Sequence, residues 1–299
     1  MARKNKTEYT TAKIFFITFI SSFLILITIM LPIALRLSPV RADEVSSSSQ
    51  PEELDAFVAT PEQNLNVLCI DKGSDYYPTS FALVRIDAMK NAIYVSALPP
   101  DMCITQNDED KSITEVYNYG GAMLVTSLLA EQLDIELSKY IAFDSEAIIK
   151  FINITGAFTY NIPYDLKYKD TKADIFINIP KGEQMIDGRT FLDLYRFPNF
   201  SEGYLHKYQV QGHLISTFIN YNMNEWLKDN AEGIFTRTLN MTEHNLSIMD
   251  YIERKALLSH FISQGYEHCE AIYVDGNFSG QIFYISDKTK TSIKEHFSL

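Results

Sequence analysis

Residues 14–35 run for 22 positions without a charged side chain, between Lys13 and Arg36. A helix rising about 1.5 Å per residue over that length crosses a hydrocarbon core of roughly 30 Å. A cleavable signal peptide has a shorter apolar core, about 7–15 residues. The segment therefore reads as a retained transmembrane helix, although Val40-Arg41-Ala42 loosely resembles a cleavage site. Arg3, Lys4, Lys6 and Lys13 precede it against the single acid Glu8, which predicts a cytoplasmic N-terminus and an extracytoplasmic remainder. Pro32 is tolerated in such a helix and is expected to kink its outer end.

Charge divides the chain the same way. Residues 1–42 hold six Lys/Arg and one acid, net +5, so the whole-chain −12 leaves −17 on residues 43–299. A surface of that sign repels nucleic acid and anionic lipid. Residues 36–63, with Ser46 to Ser49 in a row and Pro51 and Pro61 around them, lack periodicity and read as a flexible tether. The expected organisation is a cytoplasmic tail at 1–13, a membrane helix at 14–35, the tether at 36–63 and one folded domain at 64–299.

Within that domain, residues 65–70, 81–86 and 93–98 are short β-rich runs, the last two joined by a turn at 87–91. Leu124, Leu128, Leu129 and Leu133 form one helical stripe over residues 122–133. Further strands are expected at 140–143, 158–162 and 175–179, and helices at 145–152, 188–194 and 208–226. Residues 230–299 read as a helix, strands around 271–274 and 280–285, and a helix from Thr289. Strands interleaved with helices predict an α/β domain, a mixed sheet covered by helices.

Spacing alone identifies no catalytic constellation: there is no nucleophile-elbow serine, glycine-rich phosphate loop or histidine pair at metal spacing. Cys69, Cys103 and Cys269 allow at most one disulfide, Cys69 with Cys103 the pairing to test, with three free thiols the equal alternative. Six Asn-X-Ser/Thr triplets, such as the one at Asn153, read as the by-product of an asparagine-rich chain rather than as glycosylation sites.

Several segments, in order, resemble the LytR-CpsA-Psr family of bacterial cell-envelope proteins. Val116-Tyr117-Asn118-Tyr119-Gly120-Gly121 is similar to its A-Y-x-Y-G-G. Residues 182–188, GEQMIDG, with Leu194-Tyr195-Arg196-Phe197 are similar to G-x-Q-x-L-D-G…Y-V-R-F-R, and residues 157–165, AFTYNIPYD, to G-V-T-V-D-V-P-x-D. The resemblance covers about 64–299. It implies the family's α/β fold and transfer of a glycopolymer from a polyprenyl-pyrophosphate carrier to peptidoglycan. The implied partners are the membrane, a polyprenyl phosphate or pyrophosphate lipid, a cell-wall glycopolymer and peptidoglycan. Such a step calls for guanidinium forks and usually Mg²⁺ on the pyrophosphate, with an apolar slot for the lipid.

At the positions that matter the chain departs from the pattern. The family's S-D-T aligns with Pro78-Thr79-Ser80, so a metal-ligand carboxylate is replaced by Thr79; I-P-R-D aligns with Leu98-Pro99-Pro100-Asp101, and R-F-R with Arg196-Phe197-Pro198. The R-x-x-R-Q stretch lies over residues 204–209, YLHKYQ, where Lys207 and Gln209 are the candidate substitutes. The resemblance thus implies catalytic or ligand-binding roles for Arg196, Asp101, Lys207 and Gln209 and a metal role for Asp101, with Asp71 and Asp75 of the neighbouring loop as candidate replacements for the missing metal carboxylate. Each has a plain alternative: a surface salt bridge for Arg196, a turn cap for Asp101, a solvated helix face for His206 and His213. Tyr117, Tyr119 and Gly120-Gly121 read as a backbone turn leading into a helix. The leading expectation is an impaired transferase that binds or scaffolds at the envelope. Active phosphotransfer is the alternative, and an unrelated receptor or adhesin ectodomain the third reading.

Overall fold

The computed structural model describes residues 57–74, 79–265 and 267–298. The expected membrane helix at 14–35 lies outside the described residues, and among the described residues no helix is long and apolar enough to cross a membrane.

The chain runs β1 (Leu65–Asp71), β2 (Ser80–Asp87), β3 (Ala92–Leu98), β4 (Cys103–Gln106), β5 (Glu109–Ser112), α1 (Ile113–Leu133), β6 (Lys139–Phe143) and α2 (Ser145–Thr155). It continues with β7 (Phe158–Ile162), β8 (Leu166–Asp170), β9 (Ile175–Ile179), β10 (Gly182–Ile186), α3 (Gly188–Tyr195) and α4 (Tyr204–Asn222). The last elements are α5 (Glu225–Asn240), β11 (Glu243–His244), α6 (Ile248–Ile252), α7 (Lys255–Gln264), β12 (Cys269–Ala271), β13 (Gly276–Ser279), β14 (Ile282–Ile285) and α8 (Asp287–Phe297).

A six-stranded sheet in the order β11-β6-β1-β2-β3-β12 forms the centre. β2 pairs antiparallel with β1 and β3, whereas β6 and β12 add parallel to β1 and β3, so the sheet is mixed, as expected. Alternation explains the layers. Leu68 and Ile70 of β1 join Phe81 and Leu83 of β2 against Val125 and Leu129 of α1 and Phe297 of α8. Val67 and Cys69 fall on the opposite face, toward residues of α2 and α4 to α7. Fully burying a Leu or Phe side chain contributes about 1.5–3 kcal/mol, and Phe81, Phe158, Phe283 and Phe297 are all enclosed.

Local chemistry sets the helix starts. Ser112 and Glu115 form a capping box on α1, and the carboxylates of Asp144 and Asp187 cap α2 and α3. Gly121 at φ +70° interrupts α1, so the Tyr117-to-Gly121 run lies inside a broken helix, and the helical stretch expected from residue 122 begins just after the break. The single helix expected at 208–226 is two: α4 ends at Asn222, and the Asn224 side chain accepts from Leu227 N to start α5. The strand expected near 271–274 sits earlier, as β12, while β4, β5, β8, β10, β11 and β13 correspond to no expected strand.

Ordered packing starts ahead of Asn64. Phe57 stacks on His260 at 4.6 Å, and Arg254 donates to the carbonyls of Glu62, Gln63 and Asn64. The three cysteines lie on β1, β4 and β12 as free thiols, which corrects the Cys69–Cys103 pairing.

Candidate functional site

Arg196 follows α3 directly and is buried, at 6% exposure. Its Nε donates to Asp71 Oδ2 at 2.8 Å, its Nη2 to Asp71 Oδ1 at 2.5 Å and its Nη1 to Ser145 Oγ at 2.9 Å. Asp71 closes β1, and its Oδ1 also accepts from Gly73 N. Arg196 is thus neither an exposed fork nor part of a surface salt bridge, because a planar guanidinium matches one buried carboxylate two-for-two. The same bonds occupy both oxygens of Asp71, one of the expected metal ligands. Asp75 lies outside the described residues.

Asp101 sits in the turn after Pro99-Pro100, where Met102 N donates to the Pro99 carbonyl and Thr114 N to that of Pro100. Its carboxylate does not cap that turn: Oδ2 accepts from the Tyr204 hydroxyl at 2.9 Å. Burial, together with Tyr208 and Asp101, pushes the Tyr204 phenol far up, which keeps it a donor. Lys207 lies one turn along α4 from Tyr204. Burial pulls its ammonium below the usual lysine value, Asp71 and Asp101 oppose that shift, and Arg196 adds to it. The two cations therefore share one electrostatic neighbourhood with two carboxylates that offset them.

Gln209 is not among the residues that line the cleft described below. Two residues beyond Lys207 means about 200° around the helix, and its side chain is exposed. The buried amide on the inner face is Gln211, wholly enclosed, whose Nε2 donates to the Tyr195 carbonyl at 2.8 Å. Counting seven residues on from Tyr204 identifies it, once α4 is known to start there. His206 rests against Phe200, while His213 meets the Tyr160 hydroxyl at 2.9 Å, so they do not converge. Among the described residues no three His, Cys, Asp or Glu side chains gather as a metal site.

Two hollows flank this cluster. An apolar cavity of about 480 Å³ lies under the sheet, lined by Val67, Val84, Phe151, Phe218, Ile219 and Phe235 among others. Asp71 and Tyr195 line it at the end of β1; at the start of β1 it reaches Arg254, whose Nη2 holds the Asn64 carbonyl. It therefore follows β1, whose seven residues cover about 23 Å at roughly 3.3 Å each. Burial raises the Cys69 thiol that lines it to about 12. A cleft of about 820 Å³ lies beyond the ion pair, walled by Pro100, Asp101, Ser112, Thr114 and Glu115, then Pro198, Asn199, Phe200 and Gly203, then Tyr204, Lys207 and Tyr208, and finally Gln281 and Ile282.

Comparison with known proteins bears on the fold and the family. The LytR_cpsA_psr family matches residues 65–295. An uncharacterized protein of Staphylococcus aureus is 23% identical over 168 residues, 52% of this chain and 42% of its own length, so the chain spans less than half of that relative. A structure described as a transcription regulator from Eubacterium siraeum superposes with a TM-score of 0.74 at 19% identity, over 85% of this chain and 98% of that one. TagV of Bacillus subtilis gives 0.62 at 18% identity over 78% and 97%. TagT bound to LIIa-WTA gives 0.60 at 18% identity over 78% and 89%. Structural likeness at these identities establishes the fold alone, and with the family match over most of the sequence the conclusion is that this chain belongs to the LytR-CpsA-Psr family.

Proposed function

We propose that the protein is a membrane-anchored component of the cell envelope that binds a lipid-linked glycopolymer. The prenyl tail occupies the apolar cavity, the phosphate end lies near Lys207, and transfer to peptidoglycan is weak or absent. The observation that carries this reading is the bidentate Arg196–Asp71 pair, because a guanidinium held by a buried carboxylate cannot turn toward charge developing on a phosphoanhydride. Removing one preorganised donor from such a transition state typically lowers the rate by about 10²–10³. Pro100 and Pro198 line the cleft with fixed φ and no backbone N–H, and supply no donor there.

Among the described residues, which do not include Asp75, the side chains do not fit the Mg²⁺ that the family resemblance implies. Both oxygens of Asp71 are engaged by Arg196 and Gly73, Asp101 accepts from Tyr204, and Thr79 offers a hydroxyl where a carboxylate is needed. The structure of TagT with LIIa-WTA supports a glycopolymer as the ligand class. The uncharged segment at 14–35 supports attachment to the cell membrane with the N-terminus inside and the domain outside.

The test uses the full-length chain in detergent. Native mass spectrometry is expected to show a co-purified polyprenyl phosphate, and transfer of a lipid-pyrophosphate-linked glycan to peptidoglycan is expected to stay at background. Mg²⁺-dependent turnover that disappears in a folded Arg196→Ala variant would establish the alternative, an active phosphotransferase. A reporter that works only in the cytoplasm, fused after Leu299, is expected to be silent.

A further inference from the structure

The short helix α6 is apolar on two sides. On its inner side Tyr251 is buried, stacks on Phe235 of α5 at 5.6 Å and lines one end of the apolar cavity. Asp250 pins the helix from the neighbouring position, its Oδ2 accepting from Lys139 Nζ at 3.0 Å and from Ser247 N at 2.7 Å. On the outer side, Ile248, Met249 and Ile252 fall within one arc of about 100°, and they are 41%, 52% and 51% exposed. A helix of five residues thus turns three large apolar side chains toward water as one group, and that arc holds no polar residue of α6.

Two features point to what covers this face. The first is where the chain enters the domain. Phe57 stacks on His260 of α7, and Arg254, two residues after α6, donates to the carbonyls of Glu62, Gln63 and Asn64. Only the 21 residues 36–56 separate this corner from the uncharged segment at 14–35, and a random coil of that length spans about 25 Å on average. The second is charge. Residues 43–299 carry −17, yet every charged side chain from Ile248 to Lys255 is paired: Asp250 with Lys139, Glu253 with Arg254, and Lys255 with Glu232. The face therefore offers apolar surface without the net negative charge that sets the domain as a whole against lipid. A second protein fits less well, since three side chains fall far short of the roughly 800 Å² per partner that a specific interface buries. A lipid surface needs no such area, because an anchor in the same chain already holds domain and membrane at high effective concentration.

We infer that the outer face of α6 docks on the membrane, with Ile248, Met249 and Ile252 set about 5–10 Å into the boundary between headgroups and acyl chains of the outer leaflet. The cavity end that Tyr251 lines then faces lipid, and the tail end of a bound prenyl chain points back toward the bilayer. The Arg196–Asp71 pair, at the other end of β1, stands away from it. The inference rests on the anchoring and lipid binding proposed above, and adds which face of the domain meets the membrane.

The experiment reconstitutes the full-length chain in phosphatidylcholine vesicles and reads tryptophan quenching by the same lipid brominated on its acyl chains. Trp226 is the sole tryptophan, so a Trp226→Phe background carries either Met249→Trp, in the α6 face, or Phe176→Trp, at a 68% exposed position on β9. The Met249→Trp reporter is expected to lose most of its fluorescence to the brominated lipid, and the Phe176→Trp reporter almost none. Adding Ile252→Asp is expected to restore the Met249→Trp signal with the thermal unfolding curve unchanged, because a carboxylate is costly among acyl chains and this side chain is half in water. Equal quenching of the two reporters, quenching that requires phosphatidylglycerol in the vesicle, or quenching indifferent to Ile252→Asp would each overturn the inference. Emission shifted to the blue without quenching would assign the face to a second copy of the chain instead. A chain that floats with the vesicles while Met249→Trp stays unquenched sinks this inference alone; a chain that does not float sinks the proposed anchoring, and this inference with it.

Discussion

The apolar cavity and the polar cleft meet the same small cluster of charges yet are built in opposite ways. The cavity is walled by Ile, Leu, Val and Phe from β1, β2, β3 and β6 and from five helices. Apolar contact is non-directional and scales with area, so such a slot survives substitution among similar residues. The cleft depends on a few polar atoms at fixed angles, one of them the 2.9 Å bond between Tyr204 and Asp101. The contrast teaches that the apolar slot is the durable half of this domain, while the chemistry at its polar end changes with one or two residues.

The sharpest way to break that contrast is at the junction. Asp71→Ala leaves the buried Arg196 guanidinium without its carboxylate and is expected to destabilise the domain by about 3–5 kcal/mol in denaturant unfolding. Asp71→Leu combined with Arg196→Met is expected to recover most of that loss, because the cost comes from an uncompensated charge rather than from a missing attraction. If the single and double variants are equally unstable, the pair is not the strut described above.

Next in size is a filled cavity. Ile219 lines it, and Ile219→Trp is expected to abolish the thermal stabilisation that saturating polyprenyl phosphate confers, about 2.7 kcal/mol at one hundred times Kd. Tyr204→Phe then removes the hydroxyl that bonds Asp101. A net effect of about 1 kcal/mol or less on stability is expected.

The smallest effect is in pH. Burial lowers the Lys207 pKa, so protonation opposes folding, and this penalty is complete at pH values below the folded pKa. As pH rises from that lowered value toward the ordinary 10.5, the unfolded state binds more protons and wild-type stability gains relative to Lys207→Met. A difference between the two proteins that shrinks or stays flat over this alkaline window would place Lys207 in solvent rather than at the cleft.

How much of this was legible in advance differs between the same two regions. The β1, β2 and β3 runs and the α1 stripe carry periods of two and about 3.6 that any reader of the sequence can find, and an apolar cavity near Arg196 follows from more Ile, Leu and Phe than one sheet face requires. Lys207 was marked as a substitute cation and does line the cleft. Gln209 is a candidate only through the family's R-x-x-R-Q pattern, which carries no information on helix phase; in α4 the side chain of Gln209 is exposed and that of Gln211 is buried.

The sequence by itself determined the layers, the family and the uncharged stretch at its beginning, because patterns of apolar spacing and short motifs are local properties of the chain. Only the tertiary structure decided what the charges do. Asp71 and Arg196 are 125 residues apart, and Asp101 and Tyr204 are 103 apart. Which carboxylate satisfies which donor is settled by the burial that brings distant segments together, since a charge taken out of water must find a partner within hydrogen-bond reach.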